Sequence, residues 1–327
     1  MQFIDMHCDS VWTMFMQDPD IANLYNSKVT SVDFKRMKKG GQLVQFFAVC
    51  LMPEGCEREL GIEPIPWCYF IRLLREYLLR NVLEHQDIIE MAYNGDDICR
   101  NMKNGKMSAI LSMEDGAAVD GNLDTLKIYY DMGYRALTLT WNFENCFGAP
   151  NSKDPAIMKK GLSSFGLEAV EYMQELGMLV DVSHLSEGGF YDVARICKKP
   201  FAATHSNAIA LCPHQRNLTD AQIRVLGETG SVTGLNFGPE FLNKDIACKK
   251  STAALIAKHA RHIADTGGIE CVGIGGDLDG IEGELEISDC SKIYLLEDAL
   301  KKEGFSEDDI EKIFYKNVLR VIRDTMK

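Results

Sequence analysis

Eight short, mostly apolar runs are spaced along the sequence with helical patterns between them, and this alternation constrains the fold more than any other feature. The runs are FIDMHCD (3–9), LVQFFAVCL (43–51), SAILSME (108–114), RALTLTW (135–141), LVDVSH (179–184), FAATHS (201–206), SVTGLNF (231–237) and CVGIGGD (271–277). Near-continuous apolar runs of this length suit strands buried on both faces of a parallel sheet. Between them, residues 63–89 carry apolar side chains at helical spacing, with Arg72, Arg75, Glu76 and Arg80 on other faces. A second helical pattern, 163–177, stops at Gly177. Thr219 and Gln222 have the spacing of a capping box. Ser306 opens a last helix whose first turn is crowded with acids, as the helix dipole favours. Strand–helix alternation implies right-handed crossovers and a parallel sheet. Eight such strands in 327 residues predict a (β/α)8 TIM barrel forming one domain over 1–327, with a doubly wound open sheet as runner-up.

Composition narrows the function. With 46% hydrophobic and 25% charged residues the chain reads as globular, and a net charge of −13 argues against a nucleic-acid partner, whose phosphates attract Lys and Arg. No apolar run approaches the ~20 residues that span a bilayer, and the start MQFIDMHCDS lacks the basic and apolar regions of a signal peptide. A cytoplasmic location without membrane contact is expected. The 11 cysteines are odd in number, form no CxxC pair and fall partly inside apolar runs, so reduced structural thiols are expected.

Five of the eight runs end in a potential metal ligand or acid: His7 and Asp9, Glu114, His184, His205 and Asp277. Barrel active sites lie at the C-terminal ends of the strands, so a barrel brings these side chains to one mouth. On a strand, residues two apart share a face; His7 and Asp9 can therefore grip one ion while Cys8 points to the surrounding helices. Singly, each residue has a plainer reading: SHLS and THSN as turns or helix caps, MEDG as a turn signal. Their joint placement favours a metal. Imidazole and carboxylate without thiolate suit zinc or a similar divalent ion. The set divides into His7 with Asp9 on one ion, His184 with His205 on a second, and Glu114 bridging. Two ions roughly 3.5–4 Å apart can hold a hydroxide and polarise a carbonyl.

Other motifs carry less. Gly273, Gly275 and Gly276 lack the full dinucleotide-binding pattern, and close backbone packing explains them. His259 and His262 read as a solvated or interface face, and His85 as surface. No GxSxG elbow marks a serine nucleophile, and neither Cys146 nor Cys212 has an evident base partner.

Taken together, DMHCD, LSMEDG, LTLTW, DVSHLS, ATHSN, RNLTD and GGDLDG, in this order over nearly the whole chain, resemble the membrane (renal) dipeptidase family of metallopeptidases. The resemblance implies a zinc-dependent barrel, usually with two zinc ions, that hydrolyses small dipeptides, often tolerates a D-residue at the C-terminal position and is in many cases a homodimer. It assigns His7 and Asp9 to one zinc, His184 and His205 to the other, and Glu114 to the bridge. It makes Asp277 the proton carrier between the attacking water and the leaving amine, and Arg216 the clamp for the substrate carboxylate. A bidentate Arg–carboxylate contact is a physical reason to require a free C-terminus. One position departs: Trp141 stands where some members have a histidine that binds substrate and stabilises the tetrahedral intermediate. Indole N–H can only donate, so Trp141 can hydrogen-bond an oxyanion or pack against substrate, and Asn142 or Asn145 can supply an amide instead. The alternatives are a barrel metallohydrolase for another amide, lactone or phosphoester, and a weakened homologue that binds metal or peptide. The stretch 53–68 reads as a loop near the mouth.

Overall fold

A computed structural model describes residues 1–17, 23–51, 65–245 and 247–327. The stretch 53–68, expected as a loop near the mouth, lies largely outside these residues. Among the described residues eleven strands are defined: β1 (Phe3–Cys8), β2 (Gln42–Cys50), β3 (Ile89–Met91), β4 (Met107–Glu114), β5 (Tyr134–Thr138), β6 (Leu179–Asp181), β7 (Ala202–Ala203), β8 (Val232–Leu235), β9 (Lys250–Ser251), β10 (Val272–Ile274) and β11 (Glu284–Leu285). Every pairing among them is parallel. The ring runs β1–β2–β4–β5–β6–β7–β8–β10 and closes back on β1, giving a barrel of the eight strands expected from the sequence.

The apolar runs become strands because both of their faces are covered. All eight residues of β4 are buried, as are the first eight of β2. Outside the ring, the helix Trp67–Glu84 buries Phe70, Ile71, Leu74, Leu78 and Val82, each such side chain worth roughly 1.5–3 kcal/mol. That helix is shorter than the pattern over 63–89, because β3 takes residues 89–91 and pairs with the start of β4. The helix Ser164–Leu176 stops at Gly177 in a left-handed conformation, the capping box at Thr219 forms, and a second one closes at Ser306. The glycines near residue 275 are indeed packing devices: a Cβ on Gly275 would sit 1.7 Å from the Thr204 carbonyl oxygen.

Inside the barrel, Ile4, Val44, Phe46, Ile110, Ala136, Leu179, Ala202 and Val232 form one apolar cluster with Val318, Leu319 and Ile322 of the helix Asn317–Thr325. Side chains from seven strands meet this way only around the barrel axis. The same helix reaches the loops that precede the strands: Arg320 donates to the Gly230 and Glu270 carbonyls and Thr325 to that of Pro200. It therefore plugs the N-terminal end of the barrel. The opposite end stays open to a cavity of about 720 Å³.

Candidate metal centre

The open end gathers the five expected ligands, all of them buried. His7 lies within β1, and Glu114 is the last residue of β4. Asp9, His184, His205 and Asp277 follow the ends of β1, β6, β7 and β10. Glu114 stands between two groups: its Oε2 is 3.6 Å from His7 Nε2, and its Oε1 is 3.2 Å from His184 Nε2 and 3.6 Å from His205 Nε2. His7 Nε2 is 3.4 Å from Asp9 Oδ2 and 3.7 Å from Asp277 Oδ1. Ligand atoms of His7, Asp9 and Asp277 all lie within 4.8 Å of one another, as do those of His7, Glu114 and His205. Cys8 is buried in the outer apolar cluster with Val11 and Met14.

The donor set fits a metal. His7 Nε2 and Asp9 Oδ1 are buried with no hydrogen-bond partner. His184 Nδ1 lies 3.2 Å from the Asn142 carboxamide oxygen, and His205 Nδ1 lies 2.8 Å from Thr204 Oγ1. With both Nδ1 atoms engaged as donors, the two Nε2 lone pairs face each other at 3.2 Å, an arrangement that a cation between them satisfies.

Electrostatics follow from burial and crowding. Burial alone would lower His7, but Glu114 and Asp9 outweigh it and raise its pKa well above 6.5. Burial would raise Glu114, yet His7 and His184 hold it well below the usual carboxylate range. His184 is pushed down to about 4 by burial and the nearby Arg216 charge. Asp277 is pushed up to about 8, first by burial and then by Asp9 and Glu114.

Backbone geometry is also unusual here. Among the described residues the non-glycine left-handed positions are Asp115, Asp120, His184, Asp277 and Asp279. Each such residue costs of order 1–3 kcal/mol and persists where surroundings over-determine it. For His184 the cause is visible: its carbonyl accepts from the Asn151 backbone N–H at 2.6 Å, the Asn151 side chain at 2.9 Å and Thr140 Oγ1 at 3.3 Å.

Arg216 is buried beside the cluster and lines the cavity with Trp141 and Asn142. Its Nη atoms reach Ser206 Oγ at 3.3 Å and the His205 carbonyl at 3.4 Å, while its Nε has no partner. Among the described residues no carboxylate comes within ion-pair distance of it. Trp141 packs at the wall, its ring 6.2 Å from that of His184 and 6.1 Å from that of Phe143. Asn145 is committed elsewhere, donating to Asp115 Oδ1 and the Leu139 carbonyl.

Sequence reasoning missed several supporting residues. Asp5 accepts from the backbone N–H of His7 and of Gly276, and burial raises its pKa to about 6. An acid inside the fully buried FIDMHC strand was the available signal. Asn236 donates to Asp277 and nothing local marked it. His259 is buried rather than solvated, bridging the Ala208 N–H and the Leu242 carbonyl, and His262 pairs with Asp220 at 2.7 Å. His85 is half-buried, stacked on Tyr25. All ten described cysteines are free.

A closed parallel barrel with a histidine–carboxylate cluster at the C-terminal ends of its strands defines a metallohydrolase-type barrel. The chain belongs to the membrane dipeptidase family (peptidase family M19), which it matches over residues 1–327. It is 30% identical to dipeptidase aclJ of Aspergillus oryzae, over 98% of this chain and 77% of that protein. To dipeptidase tcpJ of Claviceps purpurea it is 31% identical, over 76% of this chain and 58% of that protein. Among solved structures, a metallopeptidase from Rhodobacter sphaeroides, liganded with a phosphinate mimic of L-Ala-D-Ala, superposes with a TM-score of 0.88 at 26% identity, covering 99% of each chain. No described helix is long and apolar enough to cross a membrane.

Proposed function

We propose that this chain hydrolyses free dipeptides with two zinc ions as cofactors. His7 and Asp9 would hold one ion, His184 and His205 the other, and Glu114 would bridge them. The observation that carries this reading is the Glu114 carboxylate, whose two oxygens face the two histidine groups separately. When bound, such ions polarise a carbonyl oxygen and lower the pKa of water.

The protein's own groups supply the rest. Asp277, held through Oδ2 by Asn236 at 2.8 Å, keeps Oδ1 toward the cluster, where it takes a proton from the attacking water and returns it to the leaving amine. Arg216, a buried cation with no carboxylate at ion-pair distance among the described residues, receives the C-terminal carboxylate of the substrate. Asn142 orients His184, and Trp141 forms a wall for the substrate side chain. Tolerance of a D-residue at the C-terminal position is proposed by analogy with the Rhodobacter sphaeroides relative, bound to an L-Ala-D-Ala mimic.

The test is amine release from L,L- and L,D-dipeptides by zinc-loaded protein, beside analogues with a blocked C-terminus. Cleavage of the free dipeptides alone is expected. No cleavage of any, with metal bound, would sink the proposal.

A further inference from the structure

We infer that Asp181 and Thr204 form a relay that selects which nitrogen of His205 faces the metal, and that this relay governs the ion at His184 and His205 rather than the one at His7 and Asp9. The inference rests on the metal reading above but not on the substrate.

Asp181 ends β6, is 1% exposed, and lies beside Thr138 of β5, its register partner. Four donors converge on its two oxygens. Oδ1 accepts the backbone N–H groups of Ser183 and Thr204, each at 2.9 Å. Oδ2 accepts the hydroxyls of Thr138 and Thr204, each at 2.6 Å. The carboxylate is thus an acceptor throughout, and the single hydroxyl proton of Thr204 is spent on it. Thr204 Oγ1 has only lone pairs left for His205 Nδ1 at 2.8 Å, so the ring proton must sit on Nδ1. Nε2 then presents its lone pair to the site, 3.6 Å from Glu114 Oε1 and 3.2 Å from His184 Nε2. The backbone of His205 is tied into the same unit, donating to Ser183 Oγ at 3.2 Å.

The relay is placed where solvent can hardly replace it. His205 is 1% exposed, so water has little access to its ring. The Thr204 carbonyl is pressed between Gly234 and Gly275, where an added Cβ would stand 1.9 and 1.7 Å from it; these glycines let the relay strand lie this close to its neighbours. His184 takes its orientation from a different source, Asn142 on the loop after β5. None of the hydrogen bonds of Asp181 or Thr204 described above reaches His7 or Asp9. His205 meets His7 through their rings, 3.9 Å apart, and not through this relay, so the two ions would answer to different hydrogen-bonded supports, and Asp181 and Thr204 are positioning residues for one of them.

The test uses the full-length protein with ¹⁵N-labelled histidine. In metal-free protein His205 should show the Nδ1–H tautomer, and Thr204→Val should shift it toward Nε2–H. Zinc titration against a competing chelator should then show one ion bound as in the parent and the other weakened by about 10–100-fold. Thr204→Ser, which restores the hydroxyl, should restore both readings, and Asp181→Asn should reproduce the defect. A Thr204→Val protein that keeps the Nδ1–H signature and both affinities would overturn the relay. So would equal weakening of both ions with the tautomer unchanged, which is structural loosening. If the parent binds no zinc, the metal reading fails, while the tautomer measurement still decides whether Thr204 selects the nitrogen.

Discussion

Asn236 donates its amide N–H to Asp277 Oδ2 at 2.8 Å, which leaves Oδ1 as the oxygen turned to the histidine cluster. An asparagine at 277 keeps the first contact through its carbonyl oxygen and loses the ability to carry a proton. Asp277→Asn should therefore retain metal content by elemental analysis while turnover falls by about 10²–10⁴-fold. Full activity in this variant would remove Asp277 from the proton path.

The same residue sets a pH dependence in metal-free protein. Its carboxyl is raised from 3.8 to about 8 by burial and by Asp9 and Glu114, so the folded state keeps a proton that the unfolded chain gives up. The stability this contributes is present below 3.8 and is lost as pH rises through about 8. Metal-free Asp277→Asn should then melt above the metal-free parent near pH ~9 and match it near pH ~4. Melting curves in chelator that coincide at both pH values would contradict the assignment.

Glu114 faces both histidine groups from one carboxylate, so its removal should be felt at both ions. Glu114→Ala should weaken each by more than the ~10–100-fold typical of outer supporting residues. Unchanged two-metal content would exclude the bridge.

Arg216 can be separated from the metal chemistry through the substrate. Arg216→Lys keeps a charge but loses the planar fork. Cleavage of free dipeptides should lose about 2–5 kcal/mol in kcat/KM, mostly through KM, with metal content intact. A matching fall in melting temperature would show that the guanidinium serves the fold.

Trp141 packs beside the His184 ring rather than within a network of polar groups. Trp141→Phe keeps most of that surface and removes the indole N–H. Activity within about tenfold of the parent is expected, whereas a loss of roughly 10²–10³ in kcat would show that the N–H stabilises the transition state.

The barrel was legible because its eight ring strands are largely buried on both faces and so read as mostly apolar runs. β3 was not, since its three residues continue the helical spacing of the segment before it. The residues that gather at the barrel mouth were legible from their position at strand ends and from the two-residue spacing of His7 and Asp9. The supports were not: Asn142 meets His184 across 42 positions and Asn236 meets Asp277 across 41, and no local pattern encodes such pairs. Asp181 lay in plain view inside an apolar strand, where a lone acid signals a buried partner set. The left-handed backbone of His184 depends on Asn151 and Thr140, which come from a separate loop.

The helix that plugs the N-terminal end of the barrel comes from residues 317–325. During synthesis, seven strands must wait with their inward-facing apolar side chains uncovered until this segment leaves the ribosome. Ile4 can meet its cluster partners Val318 and Ile322 only after all the intervening strands have been made. The order of translation thus opposes the order of burial.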